Sequence, residues 1–283
     1  MDEVILLGVK GGPAIRQGGA MPTASLLRMG GQNIVVDCAV GATRSVVEAG
    51  VSVTDIDAIF ITHLHSDHLL ELGPLIYTAW TTSMPKKVKI FGPIGIADYW
   101  KNFLASMSYD HAIRMDDEGR PDLNTQVEVV EFDASLDVSL GDVKVTALRV
   151  DHPPVTECYA LRFEHSGKSV VFSADTCYFP PLAVFSKDAD ILVHEAMLLA
   201  GVDKIVNRTP DAKRLREHLL ASHTAAGDVA KIATAANVKH LVLNHLIPVD
   251  DPEFGEADWR EEMSHGWDGP LTIGHDGLSI PIK

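Results

Sequence analysis

Short apolar runs recur along the chain, and glycine, proline and polar residues separate them. Many of these runs alternate and are rich in β-branched residues, a pattern that predicts strands. The predicted strands cover residues 4–7, 25–29, 33–37, 57–61, 88–91, 127–132, 137–140, 143–150, 159–163, 169–173, 191–193, 238–243, 271–273 and 278–280. Gly30 and Gly31 predict the turn of a hairpin between two of them.

Longer segments between the strands predict helices. They cover residues 42–49, 69–80, 96–107, 225–236 and 250–263. Thr224 is the predicted N-cap of the fourth helix. The polar, acidic residues 108–122 are interpreted as a loop, and the charged residues 203–220 as a lid or a dimer element. Because strands and helices are mixed along the chain, the pattern alone predicts an α/β or α+β fold.

The composition is that of a globular protein with a large core. The chain has 283 residues, 46% of them hydrophobic and 22% charged, and no linker divides it, so we predict one domain over residues 1–283. Cys38, Cys158 and Cys177 have no regular spacing, which indicates a reducing compartment without disulfides. The acidic N-terminus lacks the features of a signal peptide, and no stretch reaches transmembrane length. We therefore expect a soluble, cytoplasmic protein.

The densest group of candidate ligands is the segment 62–68, Thr-His-Leu-His-Ser-Asp-His. It follows a predicted buried strand and so lies at the carboxyl edge of a sheet, where open α/β folds bind ligands. His63 and His65 point the same way in extended backbone, whereas Asp67 and His68 fall in the turn into the next helix. Two ligand pairs at adjacent points predict two metal ions, each completed by residues from elsewhere in the chain.

These residues carry a resemblance to a known superfamily. His-x-His-x-Asp-His is the signature of the metallo-β-lactamase superfamily, and the chain resembles its ribonuclease Z and arylsulfatase-like branch. Further matches are Ala-Asp-Thr at 174–176, His-Glu-Ala-Met at 194–197 and the acidic segment 116–122. Met197 is a departure, because the ribonuclease Z branch has threonine there. The resemblance covers residues 8–245 and implies a four-layer αββα sandwich, two sheets face to face with helices outside.

The resemblance also implies the ligands of a binuclear metal centre. One ion would be held by His63, His65 and His152, the other by Asp67, His68 and His245, and Asp175 would bridge them. Each implied ligand follows a predicted strand, which is the context that the motif needs. Asp37 is a candidate partner behind a ligand imidazole. Zinc is the expected metal, with iron or manganese as alternatives.

Two ions that share a hydroxide hydrolyse ester-like bonds. We expect a phosphodiesterase or an arylsulfatase-like hydrolase. A lactonase or β-lactamase is the enzymatic alternative, and a non-hydrolytic metal-binding or redox protein is the alternative from another class. Asp67 is counted among the catalytic residues, with His223 as general acid and Glu195 as the partner that orients it. The other interpretation of His223 is that it caps or packs at the start of a helix.

Charge and loop length bear on the substrate. The net charge of −15 opposes a polyanion. Short bacterial ribonuclease Z proteins carry a long arm for transfer RNA between the ligands that match His152 and Asp175, whereas residues 158–174 here predict a plain hairpin. We therefore expect a small-molecule substrate, no nucleic acid and no membrane partner, with a homodimer left open.

Two further features are open to two interpretations each. The glycine-rich residues 8–19 lack the Gly-Lys-Ser/Thr ending of a P-loop, so a loop whose backbone passes close to a site is favoured over a phosphate loop. A second set of residues falls near loops expected around the metals, where core packing is favoured for each residue and pocket lining is the alternative. This set is Trp80, Met84, Met107, Tyr109 and Phe179.

Overall fold

Two mixed seven-stranded sheets form the centre of the computed structural model, which describes residues 2–283. Met1, where the predicted domain begins, lies outside the described residues. The strands are β1 Glu3–Gly8, β2 Ala24–Met29, β3 Gln32–Cys38, β4 Ala58–Phe60, β5 Val88–Pro93, β6 Val127–Phe132, β7 Asp137–Leu140, β8 Val143–Arg149, β9 Tyr159–His165, β10 Lys168–Phe172, β11 Ile191–Met197, β12 Leu241–Ile247, β13 Leu271–Ile273 and β14 Leu278–Pro281. The helices are α1 Ala42–Glu48, α2 Ser66–Leu69, α3 Leu72–Thr81, α4 Ile96–Ser106, α5 Ser108–Glu118, α6 Pro181–Phe185, α7 Val202–Asn207, α8 Leu215–Ser222, α9 Ala226–Ala236 and α10 Glu256–Ser264.

The strand order explains the layers. One sheet runs β14-β1-β2-β3-β4-β5-β6 and the other β13-β12-β11-β10-β9-β8-β7. Apolar side chains of both sheets share one core, which also extends under α9, and a second core joins the first sheet to α1, α3 and α4. Helices therefore cover the outer faces of two packed sheets, and the predicted αββα sandwich is confirmed.

Aromatic rings connect the two sheets. Phe60 of β4 stacks on Phe91 of β5 with ring centroids 4.4 Å apart, and it meets Phe163 of β9 edge-on at 5.4 Å. Phe60 is fully buried. Because β4 is also the strand that leads into the histidine segment, this packing holds the segment at one end of the sandwich.

Replacing Phe60 with alanine is expected to lower the free energy of unfolding by about 3–5 kcal/mol, because it leaves a cavity between the sheets. The measurement is denaturant unfolding of the variant and the parent protein. Tyr109→Ala is the matched control, because that aromatic ring is 81% exposed and its loss should change stability by about 0.5 kcal/mol or less. Equal effects of the two changes would contradict the packing argument.

Most predicted elements are confirmed, but several differ from the structure. Residues 108–122 do not form a loop, since α5 occupies most of them. The helix buries none of its residues, so it lacks the apolar periodicity that predicts a helix. Arg114 pairs with Asp110 and Glu118 at i,i+4 spacing, and Gly119 ends the helix in the left-handed conformation.

The other differences concern helix boundaries. The predicted helix 250–263 begins only at Glu256, as α10. The predicted helix 69–80 is divided into α2 and α3. Thr224 does not cap α9, since its hydroxyl donates to the carbonyl of Thr176 and the N-cap position is Ala225, with no side-chain hydrogen bond. Within residues 2–283, no helix has both the length and the apolar character that crossing a membrane requires.

Candidate metal centre and active site

The predicted ligands meet at one end of the sandwich. His63, His65, Asp67 and His68 follow β4 or lie in α2, while the others come from the ends of β8, β10 and β12. Their side-chain atoms form adjoining clusters, one of His63, His65, His152 and Asp175, the other of Asp67, His68 and His245. The structure therefore brings together all seven residues that the resemblance implied.

Three imidazole nitrogens converge in the first cluster. His65 Nδ1 lies 3.1 Å from His63 Nε2 and 3.2 Å from His152 Nε2. Asp175 Oδ2 lies 3.7 Å from His63 Nε2 and 3.8 Å from His152 Nε2. These separations suit four ligands around one divalent ion with ligand distances of about 2.0–2.2 Å.

Asp175 also borders the second cluster. Its Oδ2 lies 3.3 Å from His68 Nε2 and 3.2 Å from His245 Nε2. Asp67 Oδ2 lies 3.4 Å from His245 Nε2. One oxygen of Asp175 is thus next to both clusters, and the whole arrangement fits a binuclear metal site.

Hydrogen bonds behind the rings decide which nitrogen faces the clusters. His68 Nδ1 donates to Asp37 Oδ2 at 2.7 Å, and His152 Nδ1 donates to the carbonyl oxygen of Ser222 at 2.8 Å. A carboxylate and a carbonyl can only accept, so the proton of each neutral imidazole is on Nδ1. Nε2 of His68 and His152 is then free to bind a metal.

Thr62 decides which nitrogen of a third ring, that of His63, faces the clusters. Its hydroxyl donates to Asp37, 3.0 Å from either carboxylate oxygen, and therefore accepts from His63 Nδ1 at 3.1 Å. Asp37 also accepts from the backbone N–H of Thr62 at 2.8 Å. The contacts of Asp37 thus agree with its predicted role as a partner behind a ligand imidazole. The hydrogen bonds of Thr62 and Ser222 to ligand imidazoles were not predicted from the sequence.

Several atoms of the clusters are buried without a hydrogen-bond partner among the described residues. They are His68 Nε2, His245 Nε2 and Asp175 Oδ1. A buried polar atom without a partner costs about 1–3 kcal/mol. Because all three belong to ligand-type side chains at one place, the residues present fit a bound cation.

The electrostatics differ between the clusters. Burial lowers the pKa of His63, and it lowers the pKa of His152 to about 4, so both rings are neutral, as metal ligands must be. Burial alone would also lower the pKa of His68, but the carboxylates of Asp175 and Asp37 raise it well above its usual value. This second cluster therefore favours a positive charge.

Among residues 2–283, three of the seven non-glycine residues with positive φ lie at the same place. Asp37, Ala174 and His245 have φ angles of 59°, 57° and 42°, a left-handed conformation that costs residues other than glycine on the order of 1–3 kcal/mol. Asp37 is the last residue but one of β3, His245 lies within the second half of β12, and Ala174 directly precedes Asp175. Of these three residues, His245 is a cluster member, Asp37 supports a cluster member and Ala174 adjoins one.

The glycine-rich loop passes directly over the second cluster. Gly12 N–H donates to Asp67 Oδ2 at 2.9 Å. A side chain at Gly11 would place its Cβ 2.4 Å from Ile247 and 2.9 Å from His245 Nδ1, so only glycine fits there. The interpretation of residues 8–19 as a loop close to a site is confirmed.

Glu195 and His223 meet beside the clusters. His223 Nδ1 donates to Glu195 Oε2 at 3.0 Å, and the backbone N–H of Thr176 donates to Glu195 Oε1 at 2.8 Å. The His223 ring lies 5.3 Å from the rings of His152 and His245. Burial opposes the charged ring, but the Glu195 carboxylate outweighs it and raises the pKa of His223 to about 9.

A cavity of about 410 Å³ opens next to both clusters. Its cationic side chains are Lys10, Arg16 and Arg208, and its apolar side chains include Ile205, Leu215, Leu219 and Ile247. The segment interpreted as a lid or dimer element therefore forms a wall of this cavity. Lys10 pairs with Asp250 and Arg208 with Asp251, so two of the cations are held in place.

The five predicted candidates for pocket lining do not line this cavity. Trp80 and Met84 are buried in the core that joins the first sheet to α1, α3 and α4, and Met107 packs against the same core. Tyr109 is exposed on α5, and Phe179 borders a separate hollow near Pro153. Core packing was thus the better interpretation for three of them.

Comparison with known proteins agrees with this geometry. Residues 3–208 match the family model described as anti-Pycsar protein Apyc1. A ribonuclease Z of Mycolicibacterium gilvum is 32% identical over 281 residues, 98% of this chain and 94% of that protein, and a ribonuclease Z of Mycobacterium sp. strain KMS is 34% identical over 280 residues, with the same shares.

The chain belongs to the family described as anti-Pycsar protein Apyc1 and to the ribonuclease Z branch of the metallo-β-lactamase superfamily. It is a metal-dependent hydrolase. Solved structures agree on the fold: the metallo-β-lactamase fold protein YhfI from Bacillus subtilis has a TM-score of 0.73 at 24% identity, covering 99% of this chain and 100% of that one. The short form of human tRNase Z has a TM-score of 0.69 at 21% identity and covers both chains fully.

These relatives overturn one prediction. The expectation of a small-molecule substrate and no nucleic acid is wrong, because relatives similar over nearly the whole chain are named ribonuclease Z. The net charge was a poor guide, since it averages over the whole surface. The segment 203–220, which forms part of the cavity wall, carries five basic residues and three acidic ones, whereas the whole chain carries more acidic than basic residues.

Proposed function

We propose that this protein is a ribonuclease that hydrolyses a phosphodiester bond of RNA with two divalent metal ions. The observation that carries the proposal is a cavity with cationic side chains that opens directly on the two ligand clusters. A phosphodiester carries a negative charge, which Arg16 and two bound metal ions would attract, whereas a lactone ring carries no charge. The relatives named ribonuclease Z support the same substrate class.

The proposed ligands are those that the resemblance implied. One ion would be held by His63, His65 and His152. The other would be held by Asp67, His68 and His245, and Asp175 would contribute to both. Zinc suits this set of imidazoles and carboxylates. Bound there, two such ions would supply a nucleophile near neutral pH and would stabilise the charge that develops on the phosphate.

His223 is the proposed proton donor. Glu195 fixes its Nδ1 by a hydrogen bond and favours the charged ring, so its Nε2 is the nitrogen left to donate. Two bound dications nearby would lower the pKa of His223 from about 9 towards the neutral range in which it can lose its proton. The leaving oxygen of an RNA phosphodiester is an alkoxide, which needs such a proton.

A panel of substrates tests this function. With zinc supplied, we expect cleavage of single-stranded RNA, of a precursor transfer RNA, or of both, together with hydrolysis of bis-nitrophenyl phosphate. A chelator should abolish these activities, and zinc should restore them. RNA affinity should fall steeply with added salt, because binding releases counterions from the phosphates.

The same panel includes single-stranded DNA, an aryl sulfate, a lactone and a β-lactam. Hydrolysis of the lactone or the aryl sulfate without any cleavage of RNA would contradict the proposal. Activity that survives removal of all metal would contradict the metal-dependent step.

A further inference from the structure

His218 is a half-buried histidine that no prediction included. It lies in α8, lines the cavity, and has its ring 6.4 Å from that of His65, 6.3 Å from that of His152 and 6.0 Å from that of His223. A group bound at the ligand clusters would therefore have His218 as a neighbour on the cavity side.

Ser222 decides which nitrogen of His218 is free. The Ser222 hydroxyl donates to the carbonyl oxygen of Pro153, which can only accept. The single hydroxyl proton is thereby used, so Ser222 Oγ accepts from His218 Nδ1 at 3.2 Å. The proton of the neutral ring is then on Nδ1, and Nε2 is an acceptor without a hydrogen-bond partner among the described residues.

Other strong acceptors around the cavity are already engaged. Asp250 accepts from Ala20 N–H at 2.8 Å and pairs with Lys10. Asp67 and Asp175 belong to the ligand clusters. His218 therefore offers Nε2 as an acceptor without a partner among the described residues, on a side chain that lines the cavity.

We propose that His218 Nε2 accepts a hydrogen bond from the 2′-hydroxyl of the ribose next to the cleaved phosphate, and thereby selects RNA over DNA. The inference rests on the proposed ribonuclease function. A sugar is bonded directly to the phosphate, so it would lie beside the clusters, where His218 is. The apolar residues Leu215 and Leu219 of the same helix would lie near its base. The 2′-hydroxyl is the group that distinguishes RNA from DNA at such a site.

The test compares two RNA oligonucleotides of one sequence, one of them with a single 2′-deoxyribose at the cleaved position. The parent enzyme should cleave the all-ribose substrate about 3- to 10-fold faster in kcat/KM, the effect of one neutral hydrogen bond. His218→Phe, which keeps a ring but removes the acceptor, should cleave both at the same rate. His218→Asn, which restores an acceptor, should recover part of the preference.

Further measurements separate this role from a structural one. The loss in His218→Phe should be smaller on bis-nitrophenyl phosphate, which has no sugar, than on all-ribose RNA. His240→Phe is the matched control, because this half-buried histidine bonds Thr272 near the start of β12, at the far end from His245. This variant should keep the full preference for the all-ribose substrate.

The outcomes distinguish the two proposals. A parent enzyme that cleaves no RNA would refute the ribonuclease function, and the role of His218 with it. A parent enzyme that prefers ribose, with the preference intact in His218→Phe, would refute only the role of His218. An equal loss on all substrates in both His218 variants would also refute it, since it would indicate a structural effect.

Discussion

Replacing Asp175 with alanine is expected to abolish hydrolysis and to reduce the bound metal below two ions per chain. Asp175 Oδ2 lies 3.2–3.8 Å from nitrogens of both clusters, so its loss would remove a proposed ligand from each ion. His65→Ala should also abolish turnover, because His65 Nδ1 is central to the first cluster. The measurements are metal analysis of the purified proteins and hydrolysis of bis-nitrophenyl phosphate.

Asp190→Ala provides the matched control for Asp175→Ala. Asp190 is also a buried carboxylate, but it accepts from Ser169 N–H and pairs with Lys239 away from the clusters. This variant should lose stability yet keep both ions and the activity of the folded fraction. Full activity in His65→Ala, or two ions per chain in Asp175→Ala, would refute the binuclear assignment.

Replacing His223 with alanine is expected to slow hydrolysis according to the leaving group. Substrates with poor leaving groups should lose roughly 10²–10⁴-fold in kcat, the contribution of a general acid. Activated nitrophenyl esters should lose much less, because a nitrophenolate leaves without a proton. The measurement is kcat over a series of aryl and alkyl phosphodiesters, with metal content determined for each protein.

Glu195→Gln extends this test. Glutamine keeps the size of the side chain and one oxygen for Thr176 N–H, but it removes the charge that favours protonated His223. We expect the same dependence on the leaving group with a smaller loss. A uniform loss across the series in His223→Ala, or no loss, would show that His223 only packs at the start of α9.

The sequence predicted the parts of the site that neighbouring residues or strand ends define. The segment 62–68 was found because four ligand-type side chains follow a buried strand within seven residues. His152, Asp175 and His245 were found because each follows a strand and because the resemblance gave them a role. Their convergence could be expected, since strand ends of one sandwich meet at one edge.

Other features gave no local signal. The helix α5 was taken for a loop because it buries no residue and is stabilised by ion pairs such as Arg114 with Asp110. The cavity wall was not predicted, because its cations and apolar residues are scattered over three separate segments. The exclusion of nucleic acid failed for a related reason, since a net charge does not locate the basic residues.

By itself, the pattern of the sequence determined the strands and most of the helices, because backbone periods of 2 and 3.6 are expressed in side chains a few positions apart. The αββα order of layers and the set of ligand residues were implied by the family resemblance that the motifs carry. Only the tertiary structure decided which nitrogen each histidine offers. That choice depends on contacts between distant parts of the chain, such as His152 with Ser222, 70 positions later, and His68 with Asp37, 31 positions earlier. Hydrogen bonds of this kind form only when separate elements pack, so no local pattern records them.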